Sequence, residues 1–162
     1  MNDILQGYAE AATPDLIARF DGLDCREIYA PVIDLLPVTP ARVADIGSGT
    51  GRDAAWFAEC DHDVLAIEPV KELREPGKRL HLSYKITWLD DCLPDLMKAR
   101  RHGPFDLVTL CGVWHHIDDP ASRPRTRRPP CFSHFTSGND GQCSPSGVHV
   151  DTTGRSCFHS GE

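Results

Sequence analysis

Three glycines within five positions, Gly47, Gly49 and Gly51, follow the apolar run Val43-Ala44-Asp45-Ile46 and precede a stretch whose Ala54, Ala55, Phe57 and Ala58 form an apolar helix face. This order reads as strand, tight turn and helix. Glycines in such a turn let the backbone take positive φ and approach a ligand with no Cβ in the way, while the following helix aims its first N–H groups at the same place. A nucleotide-like ligand suits that chemistry. The spacing departs from the dinucleotide fingerprint G-x-G-x-x-G, because the third glycine falls one residue early and Arg52 stands where that fingerprint has glycine. Asp45, two residues before the first glycine, is a poor neighbour for a pyrophosphate and a good one for an ammonium group. A second acid, Glu68, ends the apolar run Val64-Leu65-Ala66-Ile67 and lies 21 residues after Gly47. At about that interval a carboxylate can accept from the vicinal hydroxyls of a ribose.

Two further segments follow in order. Ile86-Thr87-Trp88-Leu89 runs into Asp90-Asp91-Cys92-Leu93-Pro94, and Phe105-Asp106-Leu107-Val108-Thr109-Leu110 runs into Cys111-Gly112-Val113-Trp114-His115-His116-Ile117. S-adenosylmethionine carries both an ammonium group and a ribose, and the block from Asp45 to Gly51 resembles motif I of the class I S-adenosylmethionine-dependent methyltransferases. The resemblance covers residues from about Val43 to Ile117. It implies cofactor contacts at Asp45, Gly47, Ser48, Gly49, Gly51 and Glu68, with Glu68 on the ribose. It also implies an adenine contact at Asp90 or Asp91, with Asp91 the favoured one, and it calls for no metal. Trp114 and His115 would line the pocket near the donor methyl, and no catalytic residue is identified. The implied reaction is direct displacement of the sulfonium methyl by an unidentified acceptor, small-molecule or macromolecular. The competing readings are an NAD-dependent oxidoreductase and a non-catalytic cofactor-binding remnant. Taken alone, the Asp90-Asp91 pair also reads as the cap of a following helix, given Leu93, Leu96 and Met97 at helical spacing.

The elements that position these residues predict an α/β fold, a Rossmann-like doubly wound parallel sheet with its ligand at the carboxyl ends of the strands. Only the first four strands are recognisable. Residues 1–39 read as a small helical lid interrupted at Pro14 and Gly22, with Tyr8 a candidate contact, and Ile28, Val32, Leu35 and Leu36 recur at helical spacing before Pro37. Residues 40–120 form the binding domain. No stretch has the roughly 18 consecutive apolar residues of a membrane span, and the N-terminus lacks a signal-peptide layout, so a cytoplasmic protein is expected. The net charge of −7 argues against a broad electrostatic grip on nucleic acid. Seven cysteines with no CxxC pair read as reduced thiols, with Cys25, Cys60, Cys92 and Cys111 in or beside apolar segments where a small buried side chain fits.

Beyond Pro120 the composition changes. Residues 121–162 contain no Leu, Ile, Met, Lys, Tyr or Trp, whereas the preceding 120 residues hold fourteen leucines. Such a segment buries too little apolar surface to offset its ordering entropy, so disorder is expected. Arg123, Arg125, Arg127 and Arg128 form a basic run suited to weak binding of an acidic partner or nucleic acid. Cys131, His134, Cys143, Cys157 and His159 are zinc-compatible types at spacings that fit no regular zinc pattern. The favoured reading is that the family's later helices and strands have been replaced through a shifted reading frame or an assembly error. On that reading the fourth strand is left as an unpaired apolar edge, cofactor binding persists weakly, and turnover is poor.

Overall fold

The computed structural model describes residues 2–113 and the two-residue strand His149–Val150. The first helix, α1, spans Asn2–Ala11, and α2 spans Pro14–Asp21. Thr13 starts α2 by accepting from the Leu16 N–H at 3.3 Å, Pro14 supplies a preset φ in the first turn, and Gly22 ends it. Asp24 caps α3 (Cys25–Tyr29), accepting from the Arg26 N–H at 2.8 Å, and the chain continues as a 3-10 turn over Ala30–Leu35. Leu36 ends the turn and Pro37 follows it.

Strands and helices then alternate: β1 (Arg42–Ile46), α4 (Arg52–Glu59), β2 (Asp63–Ile67), α5 (Lys71–Leu80), β3 (Ile86–Leu89) and β4 (Leu107–Thr109). A 3-10 turn over Ala99–Arg101 precedes β4. All pairings are parallel, in the order β3-β2-β1-β4-β5, with β5 the strand His149–Val150. The chain leaves β1 toward β2 on one side and reaches β4 on the other, so the strand order reverses beside β1. A crevice opens at the carboxyl ends of the strands at such a point.

Period-2 alternation splits the sheet residues between two cores. Val43, Val64, Ala66, Ile86 and Leu107 pack with Ala54, Phe57 and Ala58 of α4 and with Cys25 and Tyr29 of α3. Ala44, Ile46, Leu65 and Ile67 pack on the other face with Leu93, Leu96, Ala99, Phe105 and Leu110. On that second face the described residues supply turns rather than an α-helix. Leu93, Leu96 and Met97 have helical spacing, but Pro94 has no N–H to give a helix and Leu96 sits at φ +46. Asp91 therefore caps the later 3-10 turn instead.

Two expectations are corrected. β4 is not a free edge, because β5 pairs with it through Val108↔His149 and Thr109↔Val150. In the sequence two β-branched valines, Val148 and Val150, flank His149, a pairing that suits a strand and escapes a reading based on average composition. Cys60 is exposed rather than buried, since it lies just past the end of α4; Cys25 is buried and Cys92 and Cys111 are half-buried. Trp114, His115, His116, the basic run, and Cys131, His134, Cys143, Cys157 and His159 lie outside the described residues.

Candidate functional site

The glycine loop is built by a short set of backbone hydrogen bonds. The Gly47 and Ser48 N–H groups both donate to the Ile67 carbonyl, at 2.8 and 3.1 Å, and the Gly51 N–H donates to the Ser48 carbonyl at 2.7 Å. Gly47, Gly49 and Gly51 sit at φ +71, +56 and +83, the left-handed region. A Cβ on Gly47 would collide with Val113, and one on Gly51 with the Trp88 ring. At Gly49 a Cβ would meet nothing in the chain, so the backbone angle alone demands glycine there and the space above it stays open.

That space belongs to a cavity of about 650 Å³ at the carboxyl ends of the strands. Its floor is formed by the segments following the first four strands, at 46–50, 68–70, 91–93 and 111–113, and its far wall by the N-terminal helices, with Ile4, Leu5, Tyr8, Phe20 and Ile28. The sheet end is polar and the helix wall largely apolar.

Glu68 stands at the end of β2 with both carboxylate oxygens on backbone donors. Oε2 accepts from the Gly49 N–H and Oε1 from the Val70 N–H, each at 2.7 Å. A carboxylate has about four acceptor positions, so two remain for a ligand. Burial pushes the Glu68 carboxyl up, while those two N–H groups and the Arg74 guanidinium oppose the shift.

Asp45 is 1% exposed. It follows Val43 on the α4 face of β1, and the register sets it beside Thr109 of β4, whose Oγ1 donates to Oδ1 at 2.9 Å. Among the described residues Oδ2 has no hydrogen-bond partner, nor has the buried Ser48 hydroxyl. Buried polar atoms without partners are costly, so two such atoms on one cavity wall mark where a polar ligand group belongs. Burial, with the Asp53 carboxylate adding to it, raises the Asp45 carboxyl well above the usual range. Because the folded value exceeds the unfolded value of about 3.9, the native state binds the extra proton and stability falls as pH climbs from there through the raised value. Asp45→Asn is therefore expected to be more stable than the parent in urea titrations, by a margin that widens with pH across that window. A margin independent of pH would contradict the assignment.

Asp91 reaches the cavity wall and Asp90 does not line it. The Asp91 carboxylate is largely spent on backbone: Oδ2 accepts from the Lys98 and Ala99 N–H groups at 2.7 and 2.8 Å, and Oδ1 from the Cys92 N–H at 3.0 Å. Asp90 instead pairs with Arg74, Nη2 to Oδ2, at 3.2 Å. The structure thus gathers Asp45, Gly47, Ser48, Gly49, Glu68 and Asp91 around one cavity, with Gly51 turning the loop into α4.

Sequence reasoning missed the ion pair that opens α4. Arg52 pairs with Asp53 at 2.6 Å, donates to the Phe20 carbonyl of α2 at 3.2 Å, and lies 3.5 Å from Cys111 after β4. Asp53 also accepts from the Tyr29 hydroxyl at 3.0 Å and the Cys25 thiol at 3.4 Å. One buried carboxylate thus ties the N-terminal helices to the glycine loop. An acid in the first turn of a helix reads as an ordinary match to the helix dipole, so its burial left no trace in the sequence.

Gly77 of α5 was missed as well. A Cβ there would stand 2.5 Å from the Thr50 carbonyl and would meet the Trp88 ring. Gly77→Ala gains about 1 kcal/mol of helix propensity but incurs overpacking of about 1–3 kcal/mol. A net loss of about 1 kcal/mol is expected in urea unfolding, together with weaker ligand binding as Thr50 is pushed; a stabilised variant would contradict this packing.

A family model described as a methyltransferase domain matches residues 19–125, which takes in every strand from β1 to β4. The chain belongs to this methyltransferase family. The match agrees with the resemblance carried by Asp45 to Gly51 and decides against the oxidoreductase reading. A ubiquinone biosynthesis O-methyltransferase of Xylella fastidiosa is 31% identical over 94 residues, covering 54% of this chain and 36% of the relative. An uncharacterized methyltransferase of Mycobacterium tuberculosis is 30% identical over 105 residues, covering 64% of this chain and 42% of the relative. The methyltransferase chain thus spans less than half the length of these curated relatives. A crystal structure of an S-adenosylmethionine-dependent methyltransferase from Mesorhizobium loti is 25% identical with a TM-score of 0.48, over 62% of this chain and 45% of that one.

Proposed function

We propose that the chain binds S-adenosylmethionine in the cavity at the strand ends and serves direct methyl transfer to an acceptor. The observation that carries this reading is that Asp45 Oδ2 and the Ser48 hydroxyl, both without a partner among the described residues, lie on the wall of one glycine-lined cavity. A buried carboxylate oxygen with no donor fits an ammonium group, and the two open acceptor positions on Glu68 fit vicinal hydroxyls. The cofactor supplies a methyl group already activated on a sulfonium. The chain's residues bind, orient and exclude water. Gly47, Ser48, Gly49 and Gly51 shape the methionine end, Asp45 holds its amino group, Glu68 holds the ribose, and Asp91 and the backbone beside it border the adenine. Asp90 acts one step back, through Arg74.

Residues 1–39 serve as the lid of a binding domain spanning 40–120, a reading supported by Tyr8 and Phe20 on the cavity wall and by the His81–Asp21 pair at 2.7 Å that joins α5 to α2. Transfer itself asks for a nucleophile, methyl and sulfur held in line, so proximity rather than proton chemistry is the main contribution of the protein. No helix among the described residues is long and apolar enough to cross a membrane. The four described cysteines are free thiols, which supports a cytoplasmic setting.

Thermal-shift measurements with S-adenosylmethionine and NAD test the cofactor. Stabilisation by the former alone is expected, and stabilisation by NAD alone would overturn the proposal. Transfer of a radiolabelled methyl group then separates a working enzyme from a binding remnant.

A further inference from the structure

Arg74 is 8% exposed, a position where a guanidinium is uncommon without full pairing. It lies on the buried side of α5 with Leu73 and Gly77, one turn from the contact with Thr50. Its Nη1 donates to the Glu68 carbonyl at 2.5 Å and to the Pro69 carbonyl at 3.1 Å, and its Nη2 donates to Asp90 at 3.2 Å. The β2–β3 ladder ends at Ile67↔Leu89, with a final Glu68 N–H to Leu89 carbonyl bond of 3.0 Å. Glu68 and Asp90 are thus the first residues past the ladder on each strand, and one side chain spans both.

We propose that Arg74 is a positioning residue that sets recognition of the ribose by fixing the Glu68 peptide and tying it to the segment after β3. This rests on the reading of Glu68 as the ribose acceptor. The Glu68 side chain can bridge the Gly49 and Val70 N–H groups only if its own backbone stays where the Arg74 fork holds it. A planar guanidinium serves two carbonyls and a carboxylate at once, which an ammonium cannot reproduce in full. The positive charge also favours the ionised Glu68, the form that accepts from two hydroxyls.

The test compares adenosine with 2′-deoxyadenosine, titrated calorimetrically into the full chain. The parent protein is expected to prefer adenosine by about tenfold, the value of one hydrogen bond to a charged acceptor. In Arg74→Met the preference should fall close to one, and Arg74→Lys should restore part of it. Asp90→Ala removes an exposed side chain and should lower the preference while leaving circular dichroism unchanged. A uniform loss of affinity for both nucleosides in Arg74→Met, with the preference intact, would overturn the proposal, because a merely structural side chain acts that way. If Arg74→Met does not fold, Arg74→Lys and Asp90→Ala decide: a reduced preference supports the role, and an unchanged one in both overturns it. If the parent itself shows no preference, the ribose assignment to Glu68 fails and takes the role of Arg74 with it.

Discussion

Arg52→Met is expected to lower the free energy of unfolding by about 3 kcal/mol, the low end of the range for breaking a buried ion pair. The residue removed is partly accessible, but the partner left behind is not: the Asp53 side chain is 5% exposed. Asp53 would keep the Tyr29 hydroxyl and the Cys25 thiol, two neutral donors, and lose the guanidinium it pairs with. Its charge would then repel Asp45 without the Arg52 guanidinium, which together with the Thr109 hydroxyl now holds the Asp45 carboxyl down against burial and that repulsion. Arg52→Met also frees the Phe20 carbonyl of α2 and the contact with Cys111. Urea unfolding of Arg52→Met, Asp53→Asn and the double variant measures the coupling. The double variant should lose less than the two single variants together, because neither partner is then left alone. Single-variant losses under about 0.5 kcal/mol would mean that the pair contributes no more than a surface bridge.

Glu68→Ala is expected to weaken S-adenosylhomocysteine binding by about 3 kcal/mol, on the order of a hundredfold in Kd. Two losses combine. On the proposed assignment the ribose loses its charged acceptor, and the Gly49 and Val70 N–H groups lose the carboxylate that now holds the glycine loop and the turn after β2 in one arrangement. Glu68→Gln separates the two, since an amide keeps one acceptor oxygen and points an NH₂ at the other N–H; it should fall between the parent and the alanine variant. Calorimetric affinities measured on all three proteins check the order. Equal affinities would remove Glu68 from the site.

The sequence made the positions of β1 to β4 legible because each lies in a short apolar run with a polar residue in it or at its end. Asp45 and Glu68 stood out for the same reason, one inside and one just beyond such a run. Neighbours across the sheet were not legible. Thr109 lies 64 residues from Asp45, and only the parallel register of β1 and β4 brings them together. Arg74 and Gly77 likewise look like ordinary residues of a polar helix until α5 is seen packed on the loop and on Trp88. Asp90 and Asp91 were inseparable in one dimension because adjacent residues diverge in space. One caps a turn at the cavity wall and the other pairs with Arg74. The β5 pairing was hidden by the Ser-, Arg- and Gly-rich composition around two residues that form a ladder.

The most direct measurement is a calorimetric titration of the 162-residue chain with S-adenosylhomocysteine, repeated with Asp45→Asn. The parent should bind one equivalent with a Kd of about micromolar order, and Asp45→Asn should bind at least about tenfold more weakly while unfolding at higher urea. No binding by the folded parent at millimolar ligand, or equal affinity in the two proteins, would contradict an S-adenosylmethionine site built on Asp45 and the glycine loop.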